Sequence, residues 1–181
     1  GKVNAAVCTQ ILIDDFDAEV VINTGIAGSL NADINIGDLV ISTDLVHHDM
    51  NAVAFGYPAG QIPQMETFSF KSDEALRKLA VQACKDVNPD IEVFEGRIAS
   101  GDQFVADQGV KDEIVKQFDA YAVEMEGAAI AQAAYLNNVP FLVVRAISDK
   151  ADQEAAGSYE EFEKAAIKHI VRLVLGILDR M

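Results

Sequence analysis

The 181-residue chain is short of positive charge: 14 Lys and Arg stand against 29 Asp and Glu, a formal net charge of −15. A field of that sign repels phosphates, which argues against nucleic acid and anionic membranes as partners and favours a small neutral or cationic ligand. Cysteine is scarce. Cys8 and Cys84 lie in separate helix-like segments, with no CxxC pair and no Cys/His cluster, so no metal site is expected. Both read as core thiols suited to a reducing cytoplasm. The three histidines carry little: His47 and His48 sit together as a turn or strand-end feature, and His169 falls on the surface of the last helix. No apolar run reaches the roughly 18 residues of a membrane span, and no signal peptide is expected.

What is present is a globular composition. Half of the residues are hydrophobic and the mean hydropathy is +0.14, enough for one domain with a substantial core. Val3, Val7 and Ile11 recur at four-residue spacing beside Cys8 and Leu12, which predicts an amphipathic helix over 3–16. Glu19–Asn23 reads as a short buried strand that ends in a small-residue turn, Thr24–Ser29. Residues 38–46 read as a longer strand, and 49–70, with Pro58, Pro63, Gly56 and Gly60, as an irregular excursion. A helix over 73–87, a strand over 92–99, a helix over 111–118 and a strand over 120–123 follow. The last helix is expected to start at a capping box, Ser158-x-x-Glu161, and to carry the stripe Phe162, Ala166, Ile170, Leu173 and Ile177. Strands and helices alternate, which predicts an α/β domain: a three-layer αβα sandwich around a mixed, mostly parallel sheet.

The chemistry-bearing residues collect at strand ends. Glu124 and Glu126 precede an alanine-rich helix, Gly127–Leu136, and Asp149 follows the apolar strand Phe141–Ile147. In an open parallel sheet, ligands sit beyond the carboxyl ends of strands. Glu126, near a helix N-terminus, would stay ionised and accept both protons of a diol, unless it is simply a first-turn Glu facing solvent. Asp149 can serve as a general acid if burial raises its pKa, or as a plain cap. Arg145 lies inside an apolar run and needs a partner carboxylate, anion or water. Asn23–Gly28 is a tight turn or a close backbone approach to a ligand. Phe104, in Ser100-Gly101-Asp102-Gln103-Phe104-Val105, either stacks on a flat ring or fills the core beneath a loop.

Taken in order, NTGIAG, HHDMNAVAFGYPAGQIP, SGDQF, AVEMEG and VPFLVVRAISDKAD resemble the bacterial 5'-methylthioadenosine/S-adenosylhomocysteine nucleosidases, within the purine nucleoside phosphorylase superfamily, essentially from Gly1 to Met181. The resemblance implies hydrolysis of the N-glycosidic bond of adenine thionucleosides in a cytoplasmic homodimer, without a cofactor. It implies that Asp149 protonates adenine N7, with Ser148 beside it and Arg145 near the nucleophilic water. Phe104 stacks on adenine and Val105 pairs with it through its backbone. Glu124, Met125 and Glu126 surround the ribose, Glu126 on its hydroxyls, and Ala27 and Gly28 form the turn beside it. Tyr159 lies near the alkylthio group. Phe55, Tyr57 and Pro63 are lent to the neighbouring subunit's site. Two departures stand out. The family's water-activating Glu belongs to a strand–helix segment that would precede Gly1, and Ile26 stands where Ser is common. The chain is therefore expected to be a single nucleosidase domain lacking that first segment. Two other functions fit the same residues: a purine nucleoside phosphorylase, for which five Arg are few, and a nucleoside-binding module without turnover.

Overall fold

The computed structural model describes residues 1–152 and 155–181, with the backbone alone over 155–161 and 163–165. The elements run α1 (Lys2–Phe16), β1 (Val21–Ser29), β2 (Leu39–His47), a 3-10 turn (Val53–Phe55), β3 (Phe70–Lys71), α2 (Glu74–Val87), β4 (Val93–Ser100), α3 (Gln108–Phe118), β5 (Ala122–Glu124), α4 (Gly127–Leu136), β6 (Phe141–Asp149) and α5 (Ala155–Leu178). Two helix starts follow from side chains that accept a free backbone N–H. Asp73 accepts from Leu76 N at 2.9 Å, and Asp107 accepts from Val110 N at 3.1 Å. The second cap starts α3 upstream of the expected Lys111. Helix α5 likewise begins upstream of Ser158; the side chains of Ser158, Glu161 and Tyr159 lie outside the described residues.

The sheet is mixed. Strands β1 and β6, β2 and β4, and β4 and β5 pair in parallel, whereas β1–β5, β2–β3 and β2–β6 are antiparallel. The β2–β6 pairing, Val40 opposite Arg145, joins the two ends of the row β2-β4-β5-β1-β6. The sheet therefore curls into a ring rather than lying open. Helices cover both faces, as the apolar runs require. Along β6, Leu142, Val144 and Ala146 pack against Leu76, Ala80 and Ala83 of α2 and Ala166, Ile170, Leu173 and Ile177 of α5. The alternate residues Val143 and Ile147 face Ala128, Ile130, Ala131 and Ala134 of α4.

Helix α1 departs from expectation. Its stripe Val3, Val7 and Ile11 is exposed, Cys8 is exposed too, and the helix meets the protein through Ala5 and the buried Thr9. The helix packs along the alanine-rich α4 on the face opposite that stripe. Hydrogen bonds between Gln10 and Asn137, the shorter 2.7 Å, tie the two helices. Cys84 is buried as expected. Residues 24–29 also differ: they are the second half of β1, paired to β6 and β5, and no glycine there has positive φ. In the 49–70 excursion, Phe55 is 84% exposed, while Tyr57, Ile62 and Pro63 are half-buried and Tyr57 Oη accepts from Gln64 N at 3.2 Å.

Candidate active site

A cavity of about 500 Å³ opens where β1, β5 and β6 end. Strand β1 supplies Ile26, Ala27 and Gly28; β5 and its exit supply Val123, Glu124, Met125 and Glu126; β6 supplies Ser148 and Asp149; the segment after β4 supplies Phe104. Val105, buried, lies beside an adjoining recess with Gln103 and Phe104. The sheet thus brings together nine of the residues singled out in the sequence: Ala27, Gly28, Phe104, Val105, Glu124, Met125, Glu126, Ser148 and Asp149. Phe55, Tyr57 and Pro63 lie elsewhere, on the 49–70 excursion, and the Tyr159 side chain is outside the described residues. Among the described residues the cavity lining carries carboxylates and no Lys, Arg or His.

Asp149 is buried, at 2% exposure, with its carboxylate held by two donors. Ser148 Oγ donates to Oδ2 at 2.8 Å, and Ala151 N donates to Oδ1 at 2.8 Å. Ala151, at φ 52°, folds the turn back so that its N–H reaches the carboxylate. A register shift between Ala27 and Gly28 puts Gly28 opposite Asp149.

Glu124 and Glu126, two residues apart, behave differently. Glu124 is buried and saturated. Gly127 N donates to its Oε2 at 2.8 Å, Glu126 N at 3.2 Å, Arg145 Nε at 3.2 Å, and Ser100 Oγ donates to Oε1. Ser100 Oγ in turn accepts from Ala128 N at 2.7 Å. Three successive N–H groups at the start of α4 are therefore satisfied from within the protein. The Glu126 carboxylate, with 41% of its side chain exposed, caps no N–H of its helix and stands at the cavity; the Gly1 amino group is its ion-pair partner.

Arg145 is not among the residues lining the cavity. It lies beneath it at 2% exposure, paired to Glu124. Its Nη2 also donates to Asn23 Oδ1 at 2.7 Å and its Nη1 to Val144 O at 2.9 Å. The sequence called for a partner and left its nature open; the partner is a carboxylate. Ser100, Asn23 and Val123 went unassigned in the sequence, although all three sit in or beside its motifs. A strand-end position was the available signal, and nothing local separates a hydroxyl that meets Glu124 from one that meets water.

Two imidazoles follow at the end of β2, His47 buried and His48 half-buried. His47 Nε2 meets Gln132 Oε1 at 3.1 Å, and burial, then the Lys2 cation, pushes its pKa below the ordinary value. His48 is lowered too, chiefly by burial. Asp49 moves down despite burial, because Lys2 Nζ donates to it at 2.6 Å and Asp102 N at 2.9 Å.

Comparison with known proteins places this arrangement. Residues 1–180 match the family described as the phosphorylase superfamily. A 5'-methylthioadenosine/S-adenosylhomocysteine nucleosidase of Anoxybacillus flavithermus is 48% identical over 96% of this chain and 75% of its own length. One of Treponema pallidum is 41% identical over 100% of this chain and 76% of its own length. The crystal structure of the Neisseria meningitidis enzyme of that name, in complex with methylthio-immucillin-A, matches at a TM-score of 0.96 and 43% identity, over 100% of this chain and 78% of that one. The chain belongs to the phosphorylase superfamily and, within it, to the family of 5'-methylthioadenosine/S-adenosylhomocysteine nucleosidases.

Proposed function

We propose that the cavity holds 5'-methylthioadenosine or S-adenosylhomocysteine and that the protein hydrolyses the N-glycosidic bond, releasing adenine and a thioribose. The supporting observation is a lining that sets two carboxylates, Asp149 and Glu126, in one cavity and, among the described residues, includes no Lys, Arg or His side chain. In this reading adenine stacks on Phe104 and meets the backbone of Val105. Asp149, in its protonated form, gives a proton to N7. The C1'–N9 bond then breaks with its electron pair passing to the base, and the sugar becomes oxocarbenium-like. Anionic Glu126 accepts the ribose hydroxyls and favours the developing positive charge. Water adds to C1' and loses a proton, which balances the reaction.

Hydrolysis is favoured over phosphorolysis. A phosphate dianion needs several cationic or N–H donors. Glu124 and Ser100 already occupy the N–H groups at the start of α4, and Arg145 is spent on Glu124, Asn23 and Val144 O. We also propose a homodimer in the cytoplasm. Its support is the exposed stripe Val3, Val7 and Ile11, beside which Cys8 and Leu12 line a shallow groove, together with the exposed Phe55. Among the described residues no helix is long and apolar enough to cross a membrane.

The test is to incubate purified protein with 5'-methylthioadenosine, with and without inorganic phosphate, and to separate the products. Free adenine and thioribose at equal rates in both arms are expected. A phosphate-dependent sugar phosphate, or nucleoside binding without adenine release, would overturn the reading.

A further inference from the structure

We infer that Ser100 is a positioning residue for the ribose contact. The inference rests on the nucleosidase reading above. Ser100 ends β4, is fully buried and has no place in the cavity lining. Its hydroxyl does two jobs at once: the hydrogen is donated to Glu124 Oε1, and the oxygen accepts Ala128 N at 2.7 Å. No other side chain among the described residues bridges Glu124 and the first turn of α4. The backbone between those two anchors is Met125-Glu126-Gly127, the segment that faces the sugar.

The mechanical consequence falls on Glu126. Its carboxylate makes no capping bond to α4, so nothing on its own helix fixes where it points. The Gly1 amino group pairs with it from outside the helix, and its root is set by the backbone, which is clamped on one side by the Glu124 side chain at Glu126 N and Gly127 N and on the other by Ser100 at Ala128 N. Arg145 holds Glu124 from below, and Asn23 holds Arg145. Gly127 belongs to the same clamp. A Cβ there would stand 2.6 Å from Leu45 Cδ2 and 3.2 Å from both Glu124 oxygens. Removing the Ser100 hydroxyl leaves one buried N–H unpaired and one Glu124 lone pair empty, and loosens the segment.

A residue acting through Glu126 has a signature that lost stability does not produce: it alters how the enzyme treats the ribose hydroxyls. The experiment compares kcat/KM for 5'-methylthioadenosine and its 2'-deoxy analogue in wild type, Glu126→Gln, Ser100→Ala and Ser100→Cys. Cys is nearly isosteric but accepts a hydrogen bond poorly, so it keeps the packing if Ala does not fold. The preference for the ribonucleoside should fall by about tenfold in Glu126→Gln and in both Ser100 variants, the energy of one charge-assisted hydrogen bond. The dissociation constant for adenine should stay within about twofold, as the ring contacts are untouched. Ser100→Thr, which keeps the hydroxyl, should recover most of the preference. Folded Ser100 variants with the wild-type preference would overturn the inference while leaving the nucleosidase reading intact. A wild type that releases no adenine would remove both.

Discussion

Gly28 and Asp149 face each other across the β1–β6 pair at the point where the register shifts, and a Cβ on Gly28 would lie 2.7 Å from Asp149 Oδ1 and 2.9 Å from Ala151 Cβ. The glycine is what lets the carboxylate and the Ala151 turn close over the strand. Gly28→Ala must therefore push the Asp149 turn away. Expected is a loss of kcat/KM of about 10²-fold, the size associated with a misplacement near 1 Å. A variant within threefold of wild type would show that the turn moves freely.

Asp149 itself is tested by the near-isosteric Asn. Asp149→Asn can still accept from Ala151 N through its Oδ1, and its Nδ2 can donate to Ser148 Oγ, whose hydrogen then turns to Ala27 O, so the fold should survive with a nearly unchanged melting temperature. It has no acidic proton for N7, so adenine release should slow by about 10²–10⁴. Turnover near the wild-type rate would place the acid elsewhere.

The buried pair beneath the cavity should matter for stability. Arg145→Met leaves Glu124 charged, buried and short of two donors. Breaking one side of such a pair costs about 3–5 kcal/mol, read as a lower urea midpoint at constant slope. A double variant, Arg145→Met with Glu124→Gln, should be less destabilised than the two single changes added together, since no buried charge remains. Additive losses would mean that the two side chains are not coupled.

The histidines set an acid limit. Burial, and secondarily Lys2, keeps the folded pKa of His47 below the ordinary 6.5, although Gln132, Asp49 and Glu124 pull it up. Below that pH the unfolded chain takes up a proton that the folded chain refuses. The His47 contribution is therefore fully present above about pH 6.5 and is lost as the pH falls toward the folded value. Denaturation curves between pH 7.5 and 5.5 should show stability falling, and falling less in His47→Gln. Identical pH dependence in the variant would remove His47 from the account.

The exposed stripe on α1 predicts association. Sedimentation at micromolar concentration should give a dimer, and Val7→Asp or Phe55→Asp should shift it toward monomer, with Phe55→Asp also weakening nucleoside binding. A wild-type protein that runs as a monomer would leave the stripe without the proposed role.

The local patterns of the sequence determined a good part of this protein. The apolar run of β6 and the alanine-rich α4 were legible to within two residues, because periodicity and composition act over neighbours. The order of motifs led to the family, and nine of the residues singled out in the sequence line one cavity and its adjoining recess. The tertiary structure decided the rest, and the cause each time is a contact distant in sequence. Arg145 meets Glu124 across 21 residues and Asn23 across 122. Thr24–Ser29 is a strand rather than a turn because β5 and β6 pair with it. The apolar stripe of α1 faces outward because the helix turns its other face, with Ala5, Thr9 and Gln10, toward α4, more than a hundred residues away in sequence. No window along the chain contains those partners, so burial, pairing and ring closure of the sheet were settled by packing alone.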